Sequence, residues 1–452
     1  MPHTLTLLFF LMVAALVATW VIPQGQFDTE IVNGRSVVIP GTFEVAEERG
    51  FMNPVQLFIA VPRAFADAQA IIFFLFIIGG VLAIIRKTGT IDALLGRLLE
   101  KLGSRPGTLI FLTVFIFALA SSTMGASAEY IPFVLILAAL CRTMNMDTMT
   151  AVGIIVVGYG IGYGAASFNQ YTVVVAQGVA DLPTYSGWQV RTALLVPFVM
   201  IGAHHVWRYG RMVRQDSSKS LMAGIESPDF VQKSNHYPPL TLSHVYIILS
   251  FITALGIAVW GIAQKGWYLY ELGAAFLILG IITAIIGKIG PSRMAVEFVK
   301  GAKDLTETAL LVGIARGIAL IMEDGQILHT IVYAMSVPLS LVGPELASVG
   351  MMLLQSVMNF FVTSGSGQAF LTMPLMAPLG DILGVTRQVA VQAYLFGDGF
   401  SNMIVPTNPV LMGILGMASV PFDRWFRFCL PLFLKLIGFA AICMVGMVIF
   451  GF

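Results

Sequence analysis

Charge is what this chain lacks most. Only 11% of its 452 residues are Asp, Glu, Lys or Arg, against about 25% in an ordinary soluble domain. The hydrophobic set reaches 57% before the 45 glycines are added. A soluble fold of this length would hold more apolar side chains than its interior has room for, and too few charges to cover its surface. A polytopic, all-α membrane protein is therefore expected. The net charge of +1 supplies no basic field for nucleic acid. Cysteine is scarce as well: Cys141, Cys429 and Cys443 form no C-x-x-C pair, so neither a disulfide framework nor a zinc site is indicated. No nucleotide-binding loop is present to drive a primary pump. Gly397-Asp398-Gly399 would suit an intramembrane aspartyl protease only with a second facing carboxylate. No other span carries an Asp at matching depth, and an enzyme is not expected.

What is present is a series of long apolar runs. A spanning helix needs about 20 such residues. Nine crossings are expected: Leu5 to Ile22, Ala68 to Ile85, Thr148 to Gly178, Val190 to Trp207, Leu242 to Ile262, Trp267 to Ile286, Thr306 to Met322, Thr386 to Met417, and Phe428 to Phe450. The first lacks a preceding basic cluster and reads as a retained anchor rather than a signal peptide. Two further runs are interrupted, at Ser121 to Ser127 and at Thr363 to Gly367. Each leaves legs of about 13 residues, roughly 20 Å at helical rise and too short to cross. Both are read as re-entrant hairpins, whose non-helical tips must be buried in protein or line a polar cavity. With the N-terminus cytoplasmic, most Lys and Arg residues fall on the inner side. Thr88 to Gly103 forms an amphipathic arm, with Leu94, Leu95, Leu98 and Leu102 among its apolar face.

The chain repeats itself. Ser122, Gly125 and Pro132 recur in the same spacing as Ser364, Gly367 and Pro374; Gly158, Gly160 and Asn169 recur as Gly397, Gly399 and Asn408. The first half is expected over 1–208, with a hairpin at 107–141 and an interrupted helix at 148–178. A cytoplasmic linker follows at 209–240. The second half, 241–452, begins with an odd connecting span and carries a hairpin at 346–380 and an interrupted helix at 386–417. The odd span inverts the second copy. Inverted repeats with paired broken helices point to a secondary transporter whose site lies near the midplane.

The site is placed where the tips meet the breaks. Substrate contacts are expected from Ser122, Thr123, Gly125, Glu129, Asn169, Ser364, Gly365, Ser366, Gly367, Asp398, Asn402 and Asn408. Neutral oxygens and backbone carbonyls freed by glycine and proline are what a sodium ion needs, and Ser122, Gly125, Asn169, Ser364, Ser366, Thr407 and Asn408 are its expected ligands. No cofactor is expected beyond a coupling ion, sodium or proton. Helix starts after each break would favour a substrate carboxylate. Arg316 is assigned to a structural pairing with Glu323 or Asp324. No Lys or Arg falls at a tip or break, whereas Glu129 and Asp398 suit an amino group or a cation.

Asn359 to Ala369, Met373 to Leu379 and Phe396 to Asn402, with Val38-Ile39-Pro40-Gly41, resemble the YfcC-type branch of the DcuC family. That family is similar to the AbgT transporters and the divalent anion/sodium symporters. The resemblance implies a homodimer in the bacterial inner membrane, with hairpins and broken helices forming a transport domain that moves as an elevator. It also implies small carboxylate-bearing substrates, whether amino acids, basic amino acids, peptides or four-carbon dicarboxylates. The expected partners are therefore a small molecule and the lipid bilayer, and a passive channel is the remaining alternative.

Overall fold

The computed structural model describes residues 4–32, 35–39, 41–46, 50–94, 97, 105–169, 171–183, 185–225, 238–265, 267 and 269–452. Helix dominates. The first half runs α1 (Thr4–Val21), α2 (Val55–Asp67), α3 (Gln69–Lys87), α4 (Pro106–Met124), α5 (Ile131–Thr143), α6 (Thr148–Gly164), α7 (Val173–Val179) and α8 (Trp188–Gln215). A connecting helix, α9 (Leu242–Lys265), follows. The second half runs α10 (Leu269–Ile286), α11 (Pro291–Lys303), α12 (Thr306–Asp324), α13 (Leu328–Ser336), α14 (Pro344–Phe361), α15 (Gly365–Leu383), α16 (Arg387–Ser401), α17 (Pro409–Met417) and α18 (Phe422–Ile449). Among the described residues strand is confined to two short antiparallel pairs between α1 and α2. In these, β1 (Gly25–Gln26) pairs with β4 (Glu44–Val45), and β2 (Thr29–Val32) with β3 (Arg35–Val38).

Helices of equal length recur in the same order along the chain. α2 and α11 each have 13 residues, α3 and α12 each have 19, and α8 and α18 each have 28. Their packing is reciprocal: α1 and α2 lie on α12, while α10 and α11 lie on α3. The α3–α11 contact is backbone to backbone, since a Cβ on Gly301 would sit 2.2 Å from the Gly79 carbonyl oxygen.

The repeated G-x-G pairs explain how the centre is assembled. The first glycine of each seats the hairpin of its own half: a Cβ on Gly158 would meet Phe117 of α4 at 2.7 Å, and one on Gly397 would meet Gln355 of α14 at 2.4 Å. The second faces the broken helix of the other half. A Cβ on Gly160 would strike Met403 at 2.2 Å, and one on Gly399 would strike the Gly164 backbone at 2.1 Å. Small residues let helices approach this closely inside a membrane, and these four glycines serve packing.

Local signals set the helix ends. Asp147 caps α6 by accepting from the Thr150 N–H at 3.0 Å, Thr386 caps α16, and Pro106 opens α4 at a position where a missing N–H costs nothing. Three expectations change. The hairpin legs are longer than the sequence reading allowed, with 19 residues in α4, 18 in α14 and 19 in α15. Ser121 to Met124 stay helical, Thr123 Oγ1 donating back to the Leu119 carbonyl at 2.8 Å, and the turn comes at left-handed Gly125. Length alone therefore does not separate a re-entrant leg from a crossing. Five described helices, α3, α4, α8, α10 and α18, are long and apolar enough to cross a membrane, with shorter apolar stretches in α1, α6 and α9. The stretch assigned to a linker from residue 209 is helical to Gln215, because the Tyr209 hydroxyl is held by Asp147 at 2.5 Å. Thirdly, α2 and the four strands occupy the stretch between the first two expected crossings, for which no regular structure is expected. The amphipathic arm lies largely outside the described residues beyond Leu94.

Candidate functional site

The first half leaves helix between α6 and α7, the second between α16 and α17. The first break is bound to its hairpin. Ser167 and Phe168 N–H both donate to the Ser122 carbonyl at 3.0 Å, and Ser122 Oγ donates to the Ala165 carbonyl at 2.8 Å. Asn169 Nδ2 donates to the Ser121 carbonyl at 3.2 Å while its Oδ1 accepts from Tyr171 N–H. Tyr163 Oη donates to the Gly125 carbonyl at 2.6 Å. Backbone freed from the helix is thereby satisfied inside protein, as burial demands.

The second break is organised around asparagines. Asn359 of α14 donates to the Asp398 carbonyl at 3.0 Å, to Ser401 Oγ at 2.8 Å and to Asn402 Oδ1 at 3.1 Å. Asn408 Nδ2 donates to Asn402 Oδ1 at 2.8 Å. Its own oxygen caps α17 by accepting from Val410 and Leu411 N–H at 2.9 and 3.3 Å. Thr407 Oγ1 donates to the Phe360 carbonyl, tying the break to its hairpin. Ser364 caps α15. Tyr159 of the first half donates to the Asn402 carbonyl at 2.9 Å, so the two breaks are bonded to each other through α6.

A cavity of about 700 Å³ opens where these pieces meet. Of the residues named from sequence, it is lined by Gly125 from the first tip, by Ser364, Gly365, Ser366 and Gly367 from the second, and by Asn402 and Asn408 from the second break. Ser122, Thr123, Glu129, Asn169, Thr407 and Asp398 do not line it. Ser122, Asn169 and Thr407 stand behind it in the bonds just given, Glu129 accepts from the Ser127 N–H at 2.7 Å, and Asp398 is fully buried under the second tip. The cavity's size suits a small metabolite.

Sequence reasoning missed the charged part of the lining. Asp67, Arg316 and Glu323 face the same cavity. Arg316 bonds both carboxylates, reaching Glu323 Oε1 at 3.1 Å and Asp67 through Nε. Asp324 instead pairs with Arg63. The assignment of Arg316 to Glu323 was thus right in part, but its role as scaffolding alone overlooked that α12 turns it toward the hairpin tips. An isolated arginine within an apolar run is the available signal; its partner Asp67, 249 residues away, gave none. Tyr159, Tyr163 and Tyr171 also line the space.

Comparison with known proteins places this arrangement in a family. The family model described as DcuC, C4-dicarboxylate anaerobic carrier, matches residues 1–449. The Escherichia coli K12 protein named "Putative basic amino acid antiporter YfcC" is 32% identical over 496 residues, covering 100% of this chain and 97% of its own. An uncharacterized Haemophilus influenzae protein is 27% identical, over 97% and 95% of the two chains. Among solved structures, the Alcanivorax borkumensis YdaH transporter aligns with a TM-score of 0.43 at 15% identity, covering 100% of this chain and 99% of its own. The Neisseria gonorrhoeae efflux pump MtrF aligns with a TM-score of 0.43 at 18% identity, covering 99% and 95%. Matched by one family model over almost its entire length, this multi-pass membrane chain belongs to the DcuC family.

Proposed function

We propose that the protein is a secondary active transporter of small carboxylate-bearing metabolites that also carry an amino group, basic amino acids foremost. The observation that carries this reading is the composition of the shared cavity. Both hairpin tips and the second break reach it, and its charged lining is one guanidinium with two carboxylates. A guanidinium recognises carboxylate in a planar, bidentate fashion, and the surplus carboxylate favours a cationic group on the same molecule. The name borne by the E. coli relative agrees with this preference.

In this reading the hairpins are re-entrant, the second half is inverted, and the N-terminus lies in the cytoplasm of a bacterial inner-membrane homodimer. Asp67 and Arg316 then sit toward the outer face, so the cavity is outward-facing. Alternating access follows if the hairpins and broken helices travel together against α3 and α12 as an elevator, coupled to an ion or to a counter-substrate. The second reading is a four-carbon dicarboxylate carrier. It is favoured by the family's description and by Arg316, a cation placed to meet a second carboxylate.

Uptake into proteoliposomes decides between them. Labelled arginine or lysine should accumulate, saturably and faster with counter-substrate inside, and outcompete aspartate and succinate. Glu323→Gln should weaken the preference for arginine at least tenfold while the melting temperature stays near wild type. Succinate uptake exceeding arginine uptake would transfer the assignment to the second reading, and unsaturable flux would make the protein a channel.

A further inference from the structure

A second cavity, of about 540 Å³, opens between the start of α4 and the last turns of α8 and shares no residue with the substrate cavity. Three guanidiniums reach it, Arg105 from just before α4 and Arg211 and Arg214 from α8, and no carboxylate lines it. Two described carboxylates flank this region in the chain, and both are engaged elsewhere. Asp216 pairs with Lys219 and accepts from Ser218, and Asp147 accepts from Thr150, Tyr209 and Ser220. Among the described residues no ion pair forms at any of the three arginines. Arg211 lies over the Trp207 ring, 5.4 Å from its centroid, which leaves the in-plane N–H groups of the guanidinium free to donate. Trp207 is itself seated on α4, since a Cβ on Gly107 would come within 3.1 Å of its Nε1. α4 begins without a side-chain cap, so the positive end of its dipole adds to the same field.

Three unpaired like charges around one cavity repel one another, and an anion seated between them relieves the repulsion. Guanidinium forks match the oxygens of a phosphate group. Two apolar strips lead away from the cavity. Thr108, at its rim, shares an exposed face of α4 with Leu112, Phe115 and Leu119, and Arg211 shares one of α8 with Met200 and Val196. In a membrane chain such strips face acyl chains. A soluble phosphate would use the arginines alone, whereas a phospholipid would use the strips as well. Basic pockets between membrane helices on the cytoplasmic side are where anionic headgroups are held, and the orientation proposed above places this end of α4 and α8 in the cytoplasm.

We infer that Arg105, Arg211, Arg214 and Trp207 form a binding site for the phosphate of one anionic phospholipid, held between the leading leg of the first hairpin and α8. The site is independent of which substrate the protein carries.

Native mass spectrometry counts what binds when the purified full-length protein, in neutral detergent, is titrated with phosphatidylglycerol, phosphatidylcholine or sodium phosphate. One phosphatidylglycerol per chain should bind saturably, about tenfold or more tighter than phosphatidylcholine, whose choline cancels the phosphate charge. Arg211→Gln combined with Arg214→Gln should weaken that binding about tenfold or more. Thr108→Glu places a repelling carboxylate at the rim yet suits a helix start, so it should weaken binding as much without lowering the melting temperature. Arg208, also exposed on α8, does not line the cavity, and Arg208→Gln should bind like wild type. Equal loss in Arg208→Gln, or no loss in the cavity variants, would reduce the effect to the general charge of this face and overturn the site. Inorganic phosphate binding as tightly as phosphatidylglycerol, and displacing it, would make this a soluble-anion site and overturn the lipid assignment.

Discussion

Asn408 shows how one side chain serves two purposes. Its oxygen caps α17 while its amide holds Asn402, which in turn holds Asp398. Asn408→Ala should lose the cap, worth about 0.5–2 kcal/mol, and so should lower the melting temperature as well as uptake. Asn408→Asp keeps the capping oxygen and the favourable charge at a helix start but cannot donate to Asn402. It should melt near wild type and still transport poorly. Wild-type uptake in Asn408→Asp would make the residue a cap alone. The sequence already marked this position through its repeat with Asn169. The bonds that distinguish the two, a helix cap in one half and a tie to the hairpin in the other, depend on neighbours that spacing does not reveal.

At the level of the element, legibility followed hydrophobicity. Long apolar helices such as α3 and α10 lie within two residues of the expected ends, because a run that must satisfy its own backbone in lipid has few alternatives, whereas α18 starts at Phe422, ahead of the expected Phe428. The hairpin legs were underestimated because Ser and Thr were taken as breakers, although such hydroxyls bond back to the preceding turn without ending a helix. The strands between α1 and α2 have a signal in the sequence, Asn33-Gly34 between two Val-containing runs, the strongest short hairpin pattern. β1 docks on α13, and β3 on α15. Phe43 stacks on Tyr333 with ring centroids 4.3 Å apart, and Phe27 N–H donates to His329 Nδ1 at 3.1 Å. His329 lies outside the spanning helices, and burial lowers its pKa below the usual 6.5. Protonation would place a hydrogen on the accepting nitrogen. Because the folded value is the lower one, the contact's contribution is full above about pH 6.5 and is lost as the pH falls through the folded pKa. Amide protection at Phe27 should therefore drop on acidification, and His329→Gln, which keeps an acceptor and cannot titrate, should hold its protection across the same range. Equal acid sensitivity in both would assign the loosening to another group.

The whole molecule is two halves that complete each other. Neither can bury its own faces alone: α3 needs α10 and α11, and α12 needs α1 and α2. The broken helices meet at glycines, Gly164 against Gly399, with no side chain between them. A chain severed in the Ser-rich stretch around residue 230 should therefore give two fragments, each degraded when expressed singly. Expressed together they should assemble and recover uptake. Stable accumulation of either fragment alone would contradict the reciprocal packing. The glycine crossing has a further consequence. With the two backbones in direct contact and Tyr159 bonded to Asn402, there is no soft layer at which one break could slide past the other. If the breaks move during transport, a ligand felt by one should be felt by its counterpart, the pair turning as one stiff lever and not as two gates that must be synchronised.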